Sequence, residues 1–265
     1  MITLAILGIT GRMGHTLLRA LPEASNLKLT GALASPRNPA IGRDVGELVG
    51  APAYGVRASA DRDQALQGAQ VAIDFTLAPA VEDNVRACER RRCALVIGAT
   101  GLSQAALKQI ETSAERVPIL VSPNMSIGVS LLERLAAEAA RVLGDDFDVE
   151  IVDTHHRDKA DAPSGTALRL GETVAHARGL DFAQAQILSR QGHTGPRERR
   201  KIGFAVVRAG DHAGEHTVMF AGRGEMLTLT HRATDRLIFA RGALHAAAWL
   251  AEQRPGLYSM QDITA

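Results

Sequence analysis

The chain has two cysteines in 265 residues, little net charge and no long apolar run. Cys88 and Cys93 fit no disulfide framework and no thiolate metal spacing, and both sit in apolar-periodic surroundings, as reduced packing residues do. A formal net charge of +1 excludes a strong global field toward nucleic acid or an anionic membrane. The one basic run, Arg197 to Lys201, contains Glu198 and lies in a Gly/Pro-rich stretch, which reads as a solvated loop. No apolar segment approaches the roughly 20 residues needed to span a bilayer. The N-terminal run Met1 to Leu7 has no basic flank and leads into a glycine loop instead of a cleavage site. It reads as a strand, not a signal peptide, and a cytoplasmic address is expected.

What is present is 46% hydrophobic, enough for one large or two moderate domains. The first half alternates strand and helix patterns. Leu4–Leu7, Leu27–Leu33, Val71–Phe75, Leu95–Ile97 and Ile119–Val121 have strand character, while Gly11–Leu21, Ala80–Arg91 and Ser103–Arg116 have helical spacing. Such alternation predicts a parallel sheet covered on both faces. The pattern then changes. Ser126–Leu143 predicts a long amphipathic helix with Leu131, Leu132, Leu135, Ala139 and Val142 on its buried stripe. Phe147–Thr154 alternates, Ser164–Arg178 is helical, and Ile202–Arg208, His216–Ala221 and Met226–His231 alternate between turns. These predict an α+β domain on a mainly antiparallel sheet. Arg236–Glu252 is expected as a last helix.

Gly8, Gly11 and Gly14 follow the first strand and open the first helix. A dinucleotide site needs glycines there for the tight turn, for close approach of a pyrophosphate, and for helix–strand packing. The helix start adds free amides and the dipole. The spacing is G-x-x-G-x-x-G, departing from the usual pattern at Thr10, so the loop alone is a moderate signal; a ligand-free βα turn reads the same way. At the end of the second strand, where an acid would hold the ribose hydroxyls, stand Ala34, Ser35, Pro36 and Arg37. A missing acid beside a hydroxyl and an arginine suits a 2′-phosphate, so good use of NADPH is expected. Asp74–Thr76, Gly98–Gly101 and Ser122–Met125 end later strands. Each is an ordinary loop by itself, but three at one sheet edge form a place for a flat ring.

The most specific stretch runs from Asp153 to Thr166. His155 and His156 are side chains of the kind used to exchange protons, Lys159 follows, and Ser164 is placed to cap a helix whose Gly165 and Thr166 amides would take a carboxylate. Surface histidines and a simple cap are the bland alternative. No metal is expected, because adjacent histidines point apart and no further ligand completes a tetrahedral set.

These segments resemble the dihydrodipicolinate (4-hydroxy-tetrahydrodipicolinate) reductase family over nearly the full length. The landmarks are the Gly8–Gly14 loop, Ile73–Thr76, Ile97–Gly101, Asn124–Gly128, His155–Thr166, Gly192–Gly195, Ile202–Phe204, Arg208–Asp211, Gly214–Thr217 and Thr230–His231. The resemblance implies a Rossmann-like N-terminal domain (1–126 with 236–265), a substrate and tetramerisation domain (127–235), and a homotetramer using NADPH or NADH. It implies that His155 is the proton donor/acceptor and Lys159 a second acid. It implies substrate contacts from His156, Ser164, Gly165, Thr166, Thr100 and Arg236. It implies cofactor contacts from Gly8, Ile9, Thr10, Gly11, Arg12, Met13, Phe75, Thr76, Gly98, Ala99, Thr100, Ser122, Pro123, Asn124 and Met125, to which the reading of the second strand's end adds Ser35 and Arg37. Two positions depart from the family: Ala34, where an acid is common, and Met125, where phenylalanine is common. The rivals are another dehydrogenase of the same architecture acting on an amino or hydroxy acid, and a non-catalytic dinucleotide sensor. The first leaves the His155–Thr166 string unexplained, and the second leaves His155 and Lys159 without a use.

Overall fold

A computed structural model describes residues 1–264. In chain order its elements are β1 (Ile2–Leu7), α1 (Arg12–Ala20), β2 (Leu27–Leu33), α2 (Arg62–Ala65), β3 (Val71–Asp74), α3 (Ala78–Arg91), β4 (Ala94–Ile97), α4 (Gln104–Ala114), β5 (Pro118–Val121) and α5 (Ile127–Leu143). They continue with β6 (Asp148–His155), α6 (Gly165–Ala177), α7 (Phe182–Ala185), β7 (Gln186–Ile187), β8 (Ile202–Arg208), β9 (Gly214–Ala221), β10 (Met226–Ala233), α8 (Leu237–Leu250), β11 (Gly256–Tyr258) and α9 (Met260–Ile263). The chain divides into two compact units: Met1–Ile127 with the segment from Leu237 onward, and Gly128–Arg236. No helix among the described residues is long and apolar enough to cross a membrane.

Unit 1 carries a six-stranded sheet in the order β11-β5-β4-β3-β1-β2, parallel at every pairing. All four residues of β3 and of β4 are buried, as a parallel sheet covered on both faces requires. Alternation along β1 assigns the faces: Leu4 and Ile6 join a core with α1 and α8, whereas Ala5 and Leu7 join one with α3 and α4. Helix α8 lies tight against the chain because Gly242 lacks a side chain; a Cβ there would stand 1.7 Å from the Met125 carbonyl oxygen. Between β1 and β3 the winding reverses direction, and the loops beyond those strand ends form the crevice where such sheets bind ligands.

Unit 2 is built on a mixed five-stranded sheet, β10-β9-β6-β8-β7. The β10–β9–β6 side is antiparallel and the β6–β8–β7 side parallel. The parallel half arises because the chain leaves β6 through α6 and α7 before returning, and a crossover through helices brings a strand back in the same direction. One face packs on α5 and α6 through Leu132, Ala136, Leu170, Val174, Ile151, Phe204 and Phe220.

The buried stripe of α5 differs from the one expected. Leu132 is buried as expected, but Leu131, Leu135 and Val142 are 38%, 44% and 74% exposed, and Val129, Ala136 and Ala140 join Leu132 in the core. In a helix this rich in leucine and alanine, two overlapping stripes have similar apolarity. The alanine-bearing stripe wins because small side chains let the helix approach the sheet closely.

Candidate active site

The glycine loop of unit 1 is shaped by contacts that side chains would prevent. Gly8 has φ +84°, and a Cβ on Gly14 would lie 2.4 Å from the Ile9 carbonyl oxygen. The turn closes through the Gly11 amide to the Gly8 carbonyl at 2.9 Å, and the Gly8 and Ile9 amides both donate to Leu33 O. Helix α1 then begins with no side-chain cap and no acid in its first turn. Its first amides and positive dipole end are therefore left to an anion. A cavity of about 380 Å³ adjoins the loop, lined by Gly8, Thr10, Gly11, Ser35, Phe75 and Thr76 among others. These residues fit a dinucleotide.

The remaining expected cofactor positions divide. Ile9 is fully buried in the core, and Met125 is 2% exposed within it. Arg12, Met13 and Arg37 are not among the residues lining the cavity, and Arg37 is exposed. Gly98, Ala99 and Thr100 follow β4, with Gly98 pressed under the Phe75 ring so closely that a Cβ would lie 2.1 Å from it. After β5, Ser122 Oγ donates to Asn124 O at 2.6 Å. The Asn124 side chain in turn accepts from the Ser126 amide at 2.9 Å, which braces the turn containing Pro123. Parallel strands put all these loops at one sheet edge.

Sequence reading took Asp74 only as part of a loop at the sheet edge, and it overlooked Asn84 and Arg62. Asp74 is fully buried and accepts from the Thr76 amide (2.7 Å), Thr76 Oγ1 (2.6 Å) and Asn84 Nδ2 (2.9 Å). Burial pushes its carboxyl above the usual range against the opposing pull of these hydrogen bonds.

In unit 2 the expected histidine segment ends β6. Asp153 and His155 stand two apart on that strand and so share a face. Asp153 pairs with His216 on β9, which pairs with His231 on β10. Asp153 is fully buried, and His155 and His216 are 9% and 4% exposed. His155 Nδ1 lies 2.8 Å from Asp153 Oδ1. His216 Nε2 lies 3.4 Å from the same oxygen. The other oxygen accepts from the Ser164 amide at 2.7 Å and from Arg208 at 3.1 Å. The two imidazoles meet edge to face at 5.1 Å. Burial alone would push Asp153 up, but His155, His216, the Ser164 amide and Arg208 outweigh it and hold the carboxyl far below the usual range. Burial pushes the His231 imidazole down, and the neighbouring His216 adds to that. The ligand atoms of Asp153, His155 and His216 lie within 4.8 Å of one another. Arg208 already supplies a fixed cation to that carboxylate.

Ser164 caps α6 as expected, accepting from the Ala167 amide at 3.2 Å, and its hydroxyl also contacts His216 at 3.1 Å. Space around Gly165 is open, with no atom within 4 Å of where a Cβ would stand; Thr166 follows it in the first turn of α6. Lys159 Nζ is held by Asp161 at 2.7 and 3.0 Å. Arg236 reaches His156 Nε2 at 3.3 Å. Against the His155 ring, a Cβ on Gly214 would stand 2.9 Å from Nε2. Glycine there leaves that nitrogen's approach open.

Two family models match nearly the whole chain: dihydrodipicolinate reductase, N-terminus, over residues 2–125, and dihydrodipicolinate reductase, C-terminus, over residues 128–264. The chain belongs to the dihydrodipicolinate reductase family. A 4-hydroxy-tetrahydrodipicolinate reductase of Alkalilimnicola ehrlichii is 47% identical over 98% of this chain and 97% of its own length. That of Thiobacillus denitrificans is 47% identical over 99% and 98%. Among solved structures, a dipicolinate-bound dihydrodipicolinate reductase from Paenisporosarcina superposes with TM-score 0.81 at 27% identity, covering 99% of both chains. An amine dehydrogenase of Mycobacterium smegmatis, at 11% identity and TM-score 0.67, shares the fold alone. Membership of the reductase family makes unit 1 the dinucleotide-binding fold and the chain an oxidoreductase.

Proposed function

We propose that this chain reduces 4-hydroxy-tetrahydrodipicolinate to tetrahydrodipicolinate, with loss of water, in diaminopimelate and lysine biosynthesis in the cytoplasm. The observation that carries the reading is the buried Asp153–His155–His216 array beside the capped start of α6. A bound nicotinamide supplies the hydride. The chain's residues do the rest. The substrate is a cyclic imine with two carboxylates, and departure of its 4-hydroxyl as water leaves a conjugated system. One carboxylate rests on the Gly165 and Thr166 amides at the α6 N-terminus, with His156 and Arg236 beside it. Lys159 adds positive charge once it exchanges Asp161 for substrate. His155 delivers the proton that accompanies hydride addition, and Asp153 orients its ring.

Consumption of NADPH should be visible as loss of 340 nm absorbance when the protein meets the product of the preceding aldol-type condensing synthase. No loss with either cofactor would end this reading. With no acid at Ala34 and a hydroxyl at Ser35, NADPH is the better cofactor; a tenfold or greater advantage of NADH would overturn that choice.

The homotetramer is supported by the second face of the unit 2 sheet. Val207 is 43% exposed, and Val152, Thr217, Met219, Thr228 and Thr230 share that face without a covering helix of their own unit. Bare, weakly polar sheet faces are covered by another sheet or helix layer. Sedimentation equilibrium should return about four times the 28.1 kDa chain mass; a monomer at micromolar concentration would refute the assembly.

A further inference from the structure

We infer that Arg62 is the residue that selects the 2′-phosphate of NADPH. The inference rests on the reading of unit 1 as a nicotinamide dinucleotide site, and it relocates the specificity determinant from the sequence neighbour Arg37 to a residue from another segment.

Chain geometry brings Arg62 to the end of β2. The Ala34 amide donates to Ser59 O at 2.8 Å and the Ser59 amide to Ala32 O at 2.9 Å, so the strand end and the segment leading into α2 run side by side. Asp61 then caps α2 through the Asp63 and Gln64 amides, making Arg62 its first residue. Arg62 lines the cavity together with Ala34, Ser35 and Ala60, and it is the only charged residue among the described residues that do so. In a fold where this strand end normally presents a carboxylate to the ribose, the local charge is reversed.

The guanidinium is held in place from behind. Its Nε donates to Asn84 Oδ1 at 2.8 Å, and Asn84 is fully buried. The Asn84 amide nitrogen donates to Asp74 Oδ2 at 2.9 Å and Thr76 Oγ1 at 3.1 Å. Both ends of the amide are therefore engaged, and its orientation is set by the loop after β3. Nη2 lies 3.4 Å from Asp83, whose side chain is 62% exposed and well screened. Nη1 has no protein partner among the described residues, which leaves two donors for a ligand. A planar, pre-oriented fork with free donors is what a phosphate dianion selects, and little rotamer freedom remains to be lost on binding. Ser35 adds a hydroxyl on the same wall.

Isothermal titration of the full-length protein with NADPH, NADH, 2′,5′-ADP and 5′-AMP tests this, with thermal melts as the folding control. Arg62→Leu should weaken NADPH and 2′,5′-ADP by about 10- to 100-fold, the worth of charge-assisted hydrogen bonds. It should leave NADH and 5′-AMP within about twofold, because they lack the phosphate those bonds serve. Ala34→Asp, which adds a carboxylate to the wall of the cavity that Arg62 also lines, should produce the same selective loss with Arg62 intact. Equal losses for both cofactors would assign Arg62 to adenine packing and overturn the inference, as would an unchanged NADPH affinity in Arg62→Leu. Wild-type protein that binds NADH but shows no preference for the phosphate sinks this inference and leaves the reductase intact. Protein that binds neither cofactor sinks both.

Discussion

Replacing His155 with alanine is expected to lower kcat by about 10²–10⁴-fold, the usual worth of a positioned acid, with NADPH affinity nearly unchanged. The ring ends β6 in unit 2 and is only 9% exposed. Its Nδ1 faces the Asp153 carboxylate at 2.8 Å, so Nε2 is the nitrogen left for proton transfer, and Gly214 keeps its approach open. Nothing in the glycine loop or the cavity of unit 1 involves this residue, so cofactor binding has no reason to change. Lys159→Ala should behave likewise, with a larger effect on KM because the ammonium also attracts the dicarboxylate. Single-turnover rates and direct titration with NADPH separate the two quantities. Undiminished turnover in either variant removes that residue from the chemistry.

The second large effect is expected at Asp153. Four groups depend on its charge: His155, His216, the Ser164 amide and Arg208. Asp153→Ala strands a largely buried guanidinium and an amide without their acceptor, and removing one member of a buried ion pair costs about 3–5 kcal/mol. Asp153→Asn retains the shape and an acceptor oxygen, so it should fold better than the alanine variant while still losing most turnover, because a neutral amide does not stabilise a protonated His155. The sign of the pH dependence follows from the direction of the shift. The folded carboxyl titrates far below its unfolded value, so its contribution to stability is complete above the unfolded value of about 3.9. It then declines as pH falls toward the folded value. The gap in urea stability between wild type and Asp153→Asn should therefore be constant between neutral pH and about pH 5 and narrow below about pH 4. An asparagine variant as stable as wild type at neutral pH would show that the charge is not what the cluster needs.

The sequence by itself determined what depends on neighbours along the chain. The glycine turn after β1, the strand–helix alternation, and Ser164 as cap of α6 rest on backbone rules and periodicities that act within one turn or one strand. The pairing of Asp153 with His155 was also within reach, since period-two spacing places both on one face. Only the tertiary structure decided which partners arrive from far away. His216 joins the site through cross-strand register, Arg208 through a parallel neighbour, and Arg62 through a bridge between Ser59 and the end of β2. The outward turn of Leu131, Leu135 and Val142 on α5 belongs with these. Helical periodicity marks an apolar stripe but not which of two stripes a sheet will accept, and that choice is made by the close packing of alanines against strands distant in the chain.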